Sequence, residues 1–244
     1  MTNNDQDHAS GKDNGQFHRR VLEARGGLFA VATTIAILIG GIVEIVPMYT
    51  AGAGPETADW VTPYTPLEVA GRDIYIREGC YLCHSQWVRP MRAEVLRYGE
   101  WSRAPEYQFD RPFLLGSRRM GPDLQRLAQK YPDAWHFEHM RDPRSTSPGS
   151  VMPPYPWLHS ATIDPHDIQA SVRALQKAGV PYTDAEVQGV SASLAAQGQG
   201  IVESLAGANL QTTADTEIVA LIAYLQRLGR EGKVYLPNQQ GGSE

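Results

Sequence analysis

Residues 71–86 read GRDIYIREGCYLCHSQ, and the five at 80–84, Cys-Tyr-Leu-Cys-His, decide what kind of fold must surround them. Two thiols three positions apart, followed at once by an imidazole, form the pattern of covalent haem attachment. Each sulfur adds across one vinyl group of the porphyrin, and the imidazole is then held under the iron. Cys80 and Cys83 are the only cysteines in 244 residues, and they stand too close together to frame a secreted disulfide fold. A structural zinc site would want two further Cys or His at matching spacing, and there is no second Cys pair. A redox dithiol would sit in a βαβ context that these flanks lack. Cys80 and Cys83 are therefore expected to bind one haem c covalently, with His84 as the proximal iron ligand.

A sixth ligand is expected downstream. Met91 follows the motif too closely to reach the opposite haem face, and Met140 sits among His139, Arg141 and Asp142. Met152 precedes Pro153-Pro154; prolines fix φ and remove amide donors, which suits a thioether held in a stiff, extended loop. Met152 is the expected distal ligand. Met120 is read as a packing residue, ahead of a Gly121-Pro122 turn that would start a helix over 123–130. His136, His139 and His159 are rival ligands, though a lone His in a loop more often lies at the surface or makes a hydrogen bond. With His and thioether both bound, iron is low-spin and its potential is raised, a site that moves electrons.

Apolar residues at 67, 70, 74 and 75 predict an amphipathic helix running into the motif. Ile218, Val219, Leu221, Ile222, Leu225 and Leu228 predict a last helix over 216–228, capped by Asp215 and ended by Gly229. These two helices are expected to cross around the haem. The fold class is mainly α: a class I cytochrome c-like domain with loop insertions. A further helix is predicted over Pro165–Lys177, an irregular excursion over 100–116, and for the Ala/Gln-rich stretch near 184–209 propensity does not decide between helix and mobile chain.

Residues 26–43 carry no charge, and Pro47 is expected to stop the helix they form. That run is long enough to span a bilayer. Arg19, Arg20 and Arg25 precede it, and no Lys or Arg follows until Arg72, which puts the N-terminus in the cytoplasm. The expected layout is a cytoplasmic tail at 1–24, one transmembrane anchor at 25–48, a periplasmic mono-haem domain at 49–231 and a disordered tail at 232–244. Processing of a leader after Ala53 is the competing reading. Thr33, Ile37, Gly40 and Glu44 share one helical stripe, which either snorkels or packs on a membrane partner. Twenty-two Lys and Arg against twenty-seven Asp and Glu leave a charge of -5, so nucleic acid is not an expected partner.

Beyond the haem motif, several stretches resemble the mono-haem subunit II of cbb3-type cytochrome c oxidases: 71–86, Arg89-Pro90, Tyr98-Gly99, DRPFL at 110–114, GSRR at 116–119, GPDL at 121–124, Asp142-Pro143-Arg144 and MPPYPWL at 152–158. The resemblance covers roughly residues 25–185 and resumes at the last helix. It implies a single-pass subunit of a proton-pumping oxidase in the bacterial inner membrane. Such a chain takes electrons from a di-haem cytochrome c subunit and passes them to the low-spin haem b of the haem-copper catalytic subunit, without itself reducing oxygen. Matched by motif, Cys80 and Cys83 hold the haem, His84 is proximal and Met152 distal. The resemblance further implies a calcium ion at the boundary with the catalytic subunit, near Ser117. The chain departs from the family pattern at 186–212. Arg89, Arg92, Arg118, Arg119 and Arg144 are candidates for propionate or partner contacts, with plain solvation as the competing role. Other readings are the anchored mono-haem subunit of a nitric oxide reductase, an open-site haem c enzyme or sensor, and a soluble shuttle freed from a cleaved leader.

Overall fold

The computed structural model describes residues 18–50 and 58–232. The proposed processing site after Ala53, most of the N-terminal tail and nearly all of the C-terminal tail lie outside these residues. The chain divides into two units, 1–55 and 56–244.

In the first unit α1 (Gly26–Thr50) follows a short π-helical turn at Arg19–Glu23. Residues 26–47 have a mean hydropathy of 2.3 and none of them is buried. At 1.5 Å per residue they extend about 33 Å, enough for the roughly 30 Å hydrocarbon core. Pro47 does not stop the helix, which runs on to Thr50. A proline removes one intrahelical hydrogen bond, and the turns on either side carry the helix through it. A Cβ added at Gly40 or Gly41 would meet nothing within 4 Å.

The second unit is helical, and no strand occurs among the described residues beyond an isolated bridge between Thr162 and Thr216. Its centre is the pair α2 (Pro66–Arg77) and α9 (Glu217–Arg227). Pro66 starts α2, whose first turn is closed by Glu68 Oε2 accepting from the Thr65 amide at 2.8 Å. Leu67, Ile74 and Tyr75 of α2 and Ile218, Leu221, Ile222 and Tyr224 of α9 are almost wholly buried. Each large aliphatic side chain stabilises by about 2 kcal/mol. The two helices cross as expected, and the crossing needs Gly71: a Cβ there would lie 2.0 Å from the Ala220 carbonyl oxygen. The N-cap of α9 is Thr216, one residue later than expected, because the Asp215 carboxylate accepts from the Thr213 hydroxyl at 2.5 Å instead. Gly229, at φ +72°, then turns the chain back.

Between α2 and α9 lie α3 (Arg92–Tyr98), α4 (Asp133–Arg141), α5 (Pro143–Thr146), α6 (Pro165–Lys177), α7 (Asp184–Gln188) and α8 (Val190–Ala206). Helix α6 has the predicted bounds, and 100–116 is irregular apart from a short turn at Ala104–Tyr107. The Ala/Gln-rich stretch is helical. Val187, Val190, Leu194 and Leu205 enter the core, and Gly198 lets α8 approach the Ala214 backbone. The expected helix over 123–130 is absent. The Asp123 carboxylate accepts from the Gln125 amide at 2.9 Å, Gln129 takes φ +56°, and the Ala128 amide donates to Leu228 instead of to its own turn. Arg126, buried with Glu106, pins this segment through a bidentate ion pair at 2.5 and 2.8 Å. Long-range bonds thus displace the local helix.

Candidate haem site

Gly79, at φ +71°, ends the run out of α2 and places Cys80–Leu82 in a single 3-10 turn. The Cys83 and His84 amides both donate to the Cys80 carbonyl, at 3.1 and 3.0 Å. The two thiols are free and half-buried, and burial pushes Cys80 up to about 12, with Glu78 adding to the effect.

The next segment, 119–125, is laid against this turn by backbone bonds: Gly121 donates to the Cys83 carbonyl at 3.0 Å and Leu124 to that of Ser85 at 2.9 Å. That alignment sets the Pro122 carbonyl oxygen 2.8 Å from His84 Nδ1. A carbonyl only accepts, so Nδ1 carries the proton and Nε2 keeps its lone pair. No protein group among the described residues hydrogen-bonds Nε2. Burial lowers the pKa of this ring, opposed by Pro122 and Asp123, which favours the neutral form that ligates metals. The ring lies close against Gly121, where a Cβ would stand 2.2 Å from Cε1.

Asp123 holds the two segments together. Its fully buried carboxylate accepts from the Ser85 hydroxyl at 2.6 Å and from the Trp87 amide at 2.8 Å. Arg119 bridges outward: its guanidinium donates to the Ser85 hydroxyl, to the Trp87 carbonyl at 3.0 Å and bidentately to Glu94 at 2.7 and 2.6 Å. Of the five candidate arginines, Arg119 is thus an internal tether, and Arg144 donates to the Ser150 carbonyl at 3.3 Å. Arg92 and Arg118 are exposed and Arg89 is half-buried.

Met152 is half-buried and packs against the core, as Cys80 and Tyr155 also do. Burial raises the Tyr155 hydroxyl pKa, and Cys80 and Cys83 raise it further, so the end of the Met152 loop lies within electrostatic reach of both thiols. Met140 is buried in the core and Met120 is 69% exposed, so the packing role expected of Met120 is not what the fold gives it. The rival histidines do not sit in open loops: His136 and His139 lie on α4, which the sequence reading missed. His136 is buried with Nε2 unpartnered; His139 Nδ1 meets the Thr146 hydroxyl at 2.6 Å; His159 Nε2 meets the Phe137 carbonyl at 3.0 Å. Ser117 is exposed. Among the described residues no three His, Cys, Asp or Glu side chains converge on one ion position. The donor set at 80–84, two thiols beside an imidazole whose Nε2 is left free, suits a haem better than an all-protein zinc cage.

A family model described as "Cytochrome C oxidase, mono-heme subunit/FixO" matches residues 19–231. No curated protein matches the chain.

Proposed function

Because this chain belongs to the FixO family of mono-haem cytochrome c oxidase subunits, and so serves electron transfer in an oxidase complex, we propose a specific route and site for those electrons. They arrive from a di-haem cytochrome c subunit and leave for the low-spin haem b of the haem-copper catalytic subunit, where oxygen is reduced; this chain reduces none itself. Cys80 and Cys83 would hold one haem c covalently, and His84, through Nε2, and Met152 would ligate its iron. The haem supplies one-electron chemistry at a potential that the thioether raises.

The chain's own residues bind and orient. The Pro122 carbonyl fixes the His84 tautomer and aims its ring, Gly121 gives the ring its space, and Asp123 keeps both segments in register. A second unit of mainly α architecture, with the α2 and α9 pair crossing beside the motif, supports a class I cytochrome c-like domain. α1 and the family together suggest membrane anchoring, and we read it as a single pass with the domain of 49–231 periplasmic and the stripe through Gly40 facing a membrane partner. A calcium ion beside Ser117 would draw on carbonyl and hydroxyl oxygens rather than on a carboxylate cluster.

The observation that carries this reading is His84, protonated at Nδ1 by its bond to Pro122 and free at Nε2 beside two thiols. Its test is the optical spectrum of the membrane-extracted chain, reduced and then exposed to carbon monoxide, for wild type and Met152→Ala. A low-spin c-type spectrum indifferent to carbon monoxide, made sensitive by Met152→Ala, is expected. A wild-type haem that binds carbon monoxide, or a variant spectrum identical to wild type, would overturn the axial pair.

A further inference from the structure

The hydrogen bonds that tie the ends of the Met152 loop to the rest of the fold lead back to α4. At its start, His139 Nδ1 and the Thr146 hydroxyl are hydrogen-bonded at 2.6 Å. At its end, the Tyr155 amide donates to the Met140 carbonyl at 2.8 Å. One turn further, His159 Nε2 donates to the Phe137 carbonyl at 3.0 Å and its ring meets the Phe137 ring edge-on at 4.4 Å. Between these anchors the loop bonds only to itself and to α5: Ser147 to Pro143, Arg144 to Ser150, and the Met152 amide to the Ser150 hydroxyl at 3.2 Å. Val151 is 81% exposed, and a Cβ added at Gly149, at φ +83°, would meet nothing within 4 Å.

The His139 ring is itself held. It stacks on Trp135 at 4.3 Å with 12° between the planes, and Trp135 stacks on Tyr131 at 4.1 Å with 15°. Trp135 and His139 lie one turn apart on α4 and Tyr131 just ahead of it, so the three rings form one stacked column whose last member carries the nitrogen that reaches Thr146.

We infer that His139 is a positioning residue for the distal ligand: through its bond to Thr146, and with the Met140 carbonyl holding Tyr155, α4 clamps both ends of the loop and so fixes where the Met152 thioether is presented. This rests on the axial role proposed for Met152. Between the clamps the loop hydrogen-bonds to no other element but α5, so loosening either clamp lets the thioether wander without unfolding the core. A thioether is a weak ligand that depends on being pre-placed.

The test uses the full haem-loaded chain in detergent, with His139→Leu, His139→Asn, Thr146→Val, Thr146→Ser and Met152→Ala. Three readouts apply: the near-infrared Met-to-iron charge-transfer absorption of the oxidised protein, carbon monoxide uptake by the reduced haem, and the midpoint potential. His139→Leu and Thr146→Val should weaken the charge-transfer absorption, lower the potential and raise carbon monoxide uptake about tenfold, which is about 1.4 kcal/mol, the scale of one hydrogen bond. His139→Asn keeps an amide near the Nδ1 position that can donate to or accept from the hydroxyl, and Thr146→Ser keeps the hydroxyl, so both should stay within about twofold of wild type. Should His139→Leu fail to accumulate, the Thr146 pair decides, since Val and Thr differ by one methyl for one hydroxyl.

A Thr146→Val protein that matches wild type while Met152→Ala loses the charge-transfer absorption would overturn the clamp and leave the axial assignment standing. Thr146→Ser falling as far as Thr146→Val would also overturn it, since the bond would then be irrelevant. Met152→Ala matching wild type would remove the axial reading itself.

Discussion

His84 Nδ1 and the Pro122 carbonyl oxygen stand 2.8 Å apart across 38 residues of sequence, and the ring between them and the thiols rests on the bare Cα of Gly121. A methyl group at that position would lie inside the ring's van der Waals surface. Gly121→Ala should therefore turn the imidazole off its carbonyl, with about 1–3 kcal/mol of lost stability and less haem held per chain. Haem-stained yield and the denaturant midpoint are the measurements. A variant equal to wild type in both would mean that the ring tolerates the displacement.

Asp123 accepts three hydrogen bonds, from Ser85, Trp87 and Gln125, with no solvent access. Asp123→Ala leaves those donors and the nearby Arg119 charge without a partner and should cost about 3–5 kcal/mol. Asp123→Asn retains one acceptor oxygen and should lose less. Equal losses for the two in urea unfolding would show that the acceptor bonds are not what matters.

Gly71 meets Ala220 where α2 and α9 cross. Gly71→Ala forces the helices apart against rigid backbone and should lose about 3 kcal/mol, at the upper end for overpacking. Gly200→Ala in α8, with open space around it, serves as the control and should lose no stability. Thermal melts of both variants decide the matter.

His136 is held down to about 4 from its ordinary 6.5, chiefly by burial, and is neutral in the folded protein. The unfolded chain takes up its proton first as pH falls. The stability contributed is complete above the unfolded value and is lost between about pH 6.5 and pH 4, by roughly 2 kcal/mol at pH 5. Unfolding curves at pH 7.5 and pH 5 should show this slope in wild type and a shallower one in His136→Phe. Identical slopes would place the pH dependence elsewhere.

What could be read from sequence was what local pattern controls. Helices α2, α6 and α9 carry clear periodicity, with proline starting the first two and Gly229 ending the last, and their extents match to within a residue or two. The Cys80 to His84 motif is local too. The failures all involve partners far away in the chain. Residues 123–130 have helical propensity, but their capping carboxylate is taken by Ser85 and Trp87 and their backbone by Leu228. Helix α4 was missed although Pro132-Asp133 opens it and Phe137 and Met140 lie on one face, because its polar neighbours hid the apolar stripe. For the same reason the support around His84 could not be read: GPDL at 121–124 looked like a turn ahead of a helix, and its carbonyl and carboxylate gain their roles only when folded against 83–87. Stretch 184–206 needed the surfaces of Leu67 and Ala214 to settle as helix.

Helix α9 is the last of these elements to be synthesised, yet it closes over α2 and, through Leu228, pins the segment that carries Pro122. Until it arrives, α2 lacks its most extensive partner and the core against which Cys80 packs is incomplete, so the thiol ionises more readily than in the folded chain. Once α9 docks, burial pushes that thiol up to about 12 and thiolate becomes scarce. Order of synthesis therefore opens an interval in which the sulfur is reactive, and folding ends it. A chain cut before residue 215 should react with a thiol-alkylating reagent at Cys80 faster than the full apo-chain; equal rates would mean that the last helix closes nothing.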